Sequence, residues 1–75
     1  MTDYDKLRGL MAERRLEVGK LANILGISRQ ATSSKLNGKS KITLTDAQII
    51  SSALNMTSEE RDAIFFSNNV KSEAT

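Results

Sequence analysis

Residues 18–38 read VGKLANILGISRQATSSKLNG, and the fold turns on how that stretch divides. Leu21, Ile24 and Leu25 recur at three- and four-residue steps with small Ala22 beside them, which predicts a short amphipathic helix over 18–25. Gly26 stands where such a helix stops, because the closing residue takes a left-handed conformation that glycine adopts without strain. Ser28 is a strong N-cap residue, so a second helix is expected over 29–36, ended by Asn37-Gly38. Ala22 falls where the two helices come closest, and Ile27 can plug the corner between them. Two short helices joined by about three residues around a glycine are the sequence form of a helix-turn-helix, whose second helix enters the DNA major groove.

Projecting the second helix at about 100° per residue divides it cleanly. Ser28, Ala31, Thr32, Lys35 and Leu36 share one side, and Arg29, Gln30, Ser33, Ser34 and Asn37 fill the other. That second face is small and rich in hydrogen-bonding groups, with arginine and glutamine at the end that reaches base edges. Arginine pairs bidentately with guanine and glutamine with adenine. A face exposed only to solvent more often carries Glu and Lys than serine and glutamine.

Charge supports the same reading. The whole chain of 75 residues carries a net charge of only +2. Between Arg14 and Lys41, however, seven cations face one acid, Glu17, a net +6, while the flanks hold four cations and eight acids, a net −4. A basic middle between acidic ends is the footprint of a phosphate-facing surface.

Outside the motif, pattern and punctuation predict three more helices and no strand, an all-α domain of five helices. The first spans 3–15, with Tyr4, Leu7, Leu10 and Met11 in one stripe, acids in its first turn, and Arg14 and Arg15 in its last. Gly9 inside it suggests a close helix contact. The fourth spans 44–54 behind Thr43, with Asp46 completing a capping box, and the fifth spans 58–66 behind Thr57 and Glu60. The expected core is Leu7, Met11, Leu21, Ala22, Leu25, Ile27, Leu36, Ile50, Leu54 and one of Phe65 and Phe66. Adjacent rings cannot both face inward on a regular helix, so Phe65 is assigned to the core, and Phe66, with Val70, to a partner interface. Residues 1–69 are expected to form one domain and 70–75 a flexible tail.

Several function classes are excluded. The chain has no histidine and no cysteine, which removes the commonest acid–base group and the usual metal ligands. Its glycines form no phosphate loop, and Glu59-Glu60 reads as matching of the helix dipole. The expectation is therefore no enzyme, no cofactor and no small-molecule substrate. With only three aromatic residues, single strands are poor targets, because their recognition uses interleaved stacking rings. No run approaches the ~20 apolar residues of a membrane span, and Met1 to Asp5 lacks a basic-then-apolar leader pattern. A cytoplasmic protein bound to double-stranded DNA is expected.

The motif resembles the phage repressor and Cro helix-turn-helix family, often called the XRE type: Leu21-Ala22, then Gly26, Ile27-Ser28 and a closing Asn37-Gly38. YDKLRGLMAERRL and ITLTDAQIISSALNMTSEERDAIFF also resemble small phage-encoded members, so the similarity covers roughly residues 3–66. It implies a lambda-repressor-like bundle of five helices acting in a bacterial host, associated with its nucleoid. By position it implies that Arg29, Gln30, Ser33 and Ser34 face bases. Phosphates would meet Ser28, Asn37 and Lys39, and the basic segment adds Lys20 and Lys41 to that set. The chain departs from the family pattern at four places. Val18 stands for a phosphate-anchoring glutamine and Glu17 for a threonine or serine. Thr32 and Lys35 stand where the family packs hydrophobic side chains, and Lys35 is expected to bury its stem and direct its ammonium outward.

Two functions compete at this point. One is a sequence-specific transcription regulator of a phage lysis–lysogeny switch, in the Cro role or as a minimal repressor, binding as a homodimer on paired half-sites. The other is an antirepressor or modulator that binds a phage repressor and alters its operator binding, which the departures and the Phe65-Phe66 end favour.

Overall fold

The computed structural model describes residues 2–66; the tail expected over 70–75, and with it Val70, lies outside them. Five α-helices run in order, α1 Tyr4–Glu13, α2 Val18–Leu25, α3 Arg29–Leu36, α4 Leu44–Ala53 and α5 Ser58–Phe65, and the described residues contain no strand. α2 packs against α3 and α4, and α1 against α3 and α5. No helix is long and apolar enough to cross a membrane among the described residues.

Side-chain caps start four of the five helices. Asp3 accepts from the Lys6 amide, Ser28 from Ala31, Thr43 from Asp46 and Thr57 from Glu60, and the last two are complete capping boxes. The exception is α2, where Glu17 makes no side-chain cap. Four helices end alike. The amides of Leu16, Ile27, Lys39 and Met56 reach back to the carbonyls of Met11, Ala22, Ser34 and Ser51, closing a six-residue Schellman turn each time. Glycine serves at Gly26 (φ 74°) and Gly38 (φ 81°), but Arg15 and Asn55 take φ values of 57° and 54° in the same role. Arg15 and Asn55 mark helix ends without the glycine that usually signals them.

Leu7, Met11, Leu21, Leu36, Ala47, Ile50, Leu54, Ile64 and Phe65 form one buried cluster, in which Leu7 and Leu21 are 0% exposed. Ala22 is buried as well, at 4% exposure. Leu25 and Ile27, expected inside, are only partly buried, while Thr32, Ala47 and Ile64 take fully buried places. Phe65 is the core ring, and Phe66 packs half-buried against the cluster's edge.

The end of α1 differs from expectation in its use of arginine. The helix stops at Glu13, and Arg14 does not remain at its own C-terminus as a dipole match. Its guanidinium crosses to α4 and α5, donating to the Leu54 carbonyl at 2.7 Å and pairing with Glu60 at 2.7 Å. Arg14 thus satisfies a carbonyl left open where α4 ends. Gly9 also departs from expectation: a Cβ built there meets nothing within 4 Å. No close approach requires glycine at that position, so Gly9→Ala is expected to stabilise the domain by up to ~1 kcal/mol, the helix-propensity difference. A thermal melt that falls for this variant would show that the position has another constraint.

Candidate nucleic-acid interface

α3 is locked from both ends and from beneath. At its start, Ser28 accepts the Ala31 amide at 3.0 Å, and its own hydroxyl hydrogen stays available to an outside acceptor. Beneath, Thr32 is 1% exposed, and its hydroxyl donates to the Ser28 carbonyl at 2.9 Å. The buried hydroxyl is satisfied, so a polar residue holds the place of an apolar one without an unpaired group. At the far end, Arg8 donates to the Leu36 carbonyl at 2.8 Å, and the Tyr4 ring lies against Gly38, leaving 3.2 Å to a hypothetical Cβ there. α1 therefore braces the C-terminal turn of α3.

Lys35 is the second departure the structure explains. Its ammonium does not point into solvent. It pairs with Asp46 at 2.8 Å and donates to the Lys41 carbonyl at 3.0 Å, with side chains 19% and 17% exposed for Lys35 and Asp46. Asp46 also accepts the Thr43 amide as part of the α4 capping box. Burial works to raise the Asp46 pKa, but the hydrogen bonds from Lys35 and Thr43 and the Lys35 charge outweigh it and hold the carboxyl below its ordinary value. Glu60 is likewise held low, by the Thr57 amide and then by the Arg14 guanidinium.

These pairings revise the charge of the face. Of the seven cations from Arg14 to Lys41, Arg14 and Lys35 are engaged within the fold. Arg15, Lys20, Arg29, Lys39 and Lys41 make no ion pair among the described residues. All five are exposed, and none of them belongs to α1, α4 or α5. Gln30 is exposed and Ser33 and Ser34 are half-buried along the outer stripe of α3. Asn37, Lys39 and Lys41 are exposed in the connection to α4, whose first amides fold back onto the Ser33 and Ser34 carbonyls. The DNA-facing residues expected from sequence thus lie on α2, on α3 with its N-cap Ser28, and on the segment that follows it, whereas Phe66 lies at the end of α5.

Arg29 sits apart from this pattern. It occupies the edge of the α3 stripe, and its guanidinium lies across the first turn of α2 at Gly19. Gly19, which sequence reasoning passed over, is what admits it. The available signal was a glycine inside a short helix, a placement that costs ~1 kcal/mol against alanine and so invites a packing reason. A groove between the start of α2 and the turn into α3 is lined by Glu17, Gly19, Lys20, Asn23, Ser28 and Arg29 among others. No group of three or more acidic, histidine or cysteine side chains that could hold a metal occurs among the described residues.

A family model for the Cro/C1-type HTH DNA-binding domain matches residues 6–60 of the chain. Neither a curated protein nor a solved structure matches it.

Proposed function

Because the chain belongs to the Cro/C1-type HTH DNA-binding domain family, we propose that it is a sequence-specific transcription regulator of a phage lysis–lysogeny switch, in the Cro role or as a minimal repressor. The observation that carries the reading is the outer stripe of α3, with Gln30, Ser33 and Ser34, together with the exposed cations Lys20, Lys39 and Lys41 of α2 and the segment after α3, which make no ion pair among the described residues. In this reading α3 enters the major groove and those three polar side chains meet base edges. Lys20, Ser28, Asn37, Lys39 and Lys41 meet phosphates, which position the helix without reading sequence. One such helix reads few base pairs, so a homodimer on half-sites one turn apart supplies the affinity. The protein then acts in the bacterial cytoplasm.

The test is selection of a duplex from random sequences, followed by affinity measurements across salt concentrations. Gln30→Ala is expected to cost about 1–3 kcal/mol on the selected duplex and to relax preference at one base pair. Lys39→Ala is expected to weaken selected and random duplexes alike and to reduce the salt slope by about one. Wild-type protein that shows no salt-dependent binding to any duplex overturns the reading.

A second reading, an antirepressor that binds a phage repressor, rests on a surface of α4 and α5, outside the helix-turn-helix. Leu44 is 66% exposed and joins Ala47, Gln48, Arg61, Asp62 and half-buried Phe66 around a hollow between α4 and α5. An exposed leucine beside a half-buried ring, rimmed by charge, suits a protein partner. A gel shift with the protein alone, with a neighbouring repressor and with both separates the two readings.

A further inference from the structure

The geometry points to Arg29 as a phosphate clamp rather than a base reader, with Gly19 as the residue that assigns it that task. The inference rests on the duplex-binding reading of α3. A Cβ built on Gly19 would lie 2.7 Å from Nη2, 3.3 Å from Nε and 3.4 Å from Cζ of Arg29. The guanidinium therefore occupies the space that any other residue at position 19 would fill. Arg29 is the first residue of α3, yet its charged end rests on α2.

The two helices of this motif meet DNA differently: the first crosses the sugar-phosphate backbone, and the N-terminal part of the second reaches bases. A guanidinium lying on the first helix is thus presented to the backbone. Three features suit it to that task. Arg29 has no acidic partner among the described residues, so its charge is available. Lys20, exposed beside Gly19, adds a second cation along the same groove. Val18 offers no polar group at the start of α2, and Glu17 makes no cap there, so Arg29 is the side chain of α3 that supplies a fork of donors to this edge. Sequence reading then begins at Gln30.

Gly19 is a positioning residue and can be tested without loss of fold. The atoms that block a Cβ are the far end of a flexible side chain, so Gly19→Ala displaces the guanidinium and leaves the helices in place. Binding is measured by fluorescence anisotropy on a duplex selected with the wild-type protein and on a random duplex, from low to moderate salt. For Arg29→Ala, affinity is expected to fall by a similar factor on both duplexes, about tenfold at low salt. The salt slope falls by about one, the loss of a single phosphate contact. Gly19→Ala is expected to melt no lower than wild type and to show the same fall in slope. The double variant should bind no more weakly than Arg29→Ala alone, because both changes remove one contact. If Arg29→Ala instead changes preference at one base pair with the slope unaltered, or Gly19→Ala keeps the wild-type slope, the assignment is overturned. Wild-type protein lacking salt-dependent duplex binding overturns the DNA reading itself and this inference with it, an outcome visible before any variant is made.

Discussion

Phe65→Ser is expected to unfold the domain, while Phe66→Ser leaves it folded with a modestly lower melting temperature. Phe65 is 5% exposed and belongs to the central cluster with Leu7, Leu54 and Ile64. Truncating a buried phenylalanine costs about 3–5 kcal/mol through lost transfer energy and the cavity left behind. A serine hydroxyl placed there without a partner adds about 1–3 kcal/mol. Small domains bury a smaller share of their surface, and total stabilities of ~5–15 kcal/mol leave little margin against such a loss. Phe66 follows the last helical residue of α5 and covers the cluster from its edge, half-buried. Its removal forfeits about 1 kcal/mol, half of what full burial of such a ring contributes. Circular dichroism melts of the two variants check the contrast, and a folded Phe65→Ser protein would mean that the two rings are exchanged. The folded Phe66→Ser variant then tests the α4–α5 hollow: weaker association in sedimentation, at unchanged helicity, supports an interface there.

Asp46→Ala should be the most damaging single change on the polar side, costing about 2–3 kcal/mol. It removes the return half of the α4 capping box, in which the Asp46 carboxylate accepts the Thr43 amide, a loss of about 1 kcal/mol. It also strands the Lys35 ammonium in a mostly buried position with only the Lys41 carbonyl as partner. Removing one member of a fully buried pair costs about 3–5 kcal/mol; the residual exposure of this pair places it below that range. Lys35→Leu should cost less than Asp46→Ala, because the Asp46 carboxylate loses its cation but keeps the Thr43 amide, and the apolar side chain suits the underside of α3. The same groups set the acid response. Asp46 and Glu60 both have folded-state pKa values below their ordinary values of 3.8 and 4.5. Their contribution to stability is therefore complete above about pH 5 and is lost as pH falls through the depressed values. Chemical denaturation at pH 7, 4 and 3 should show the wild type losing more stability on acidification than Asp46→Ala. Equal losses would mean that Asp46 carries no such linkage.

The helix boundaries were legible because local chemistry specifies them. Ser28, Thr43 and Thr57 each place a hydroxyl where an open amide must be met, and Gly26 and Gly38 each supply a positive φ. These are interactions over three to five residues, so the residue types alone reveal them. Arg15 was less visible, since arginine in the same turn carries no distinctive signal, and Asn55 offered only the weaker tendency of asparagine toward a positive φ.

The two aromatic rings of α5 mark the transition from local to tertiary control. Helical geometry excluded burying both rings on one side, a conclusion that needs only the 100° step between neighbours. The same geometry places Leu21, Leu36, Ile50 and Leu54 on inward stripes, and all four are buried. Leu25 was misjudged because a stripe shows which side faces inward, not how far the neighbouring helices extend over it, and Ile27, assigned to the corner of the turn, is only partly covered there.

The chain's own residues thus determined the five helices, their caps, the turn at Gly26 and the polar stripe of α3. Only the tertiary structure decided which charges remain free to meet a ligand. Arg14 and Lys35 look like members of a basic surface in a linear count, yet each meets a partner more than ten positions away, Glu60 and Asp46. Arg29 and Gly19 meet only because α3 turns back across α2. Side-chain pairing between helices depends on how the helices cross, and periodicity within one helix carries no information about that crossing.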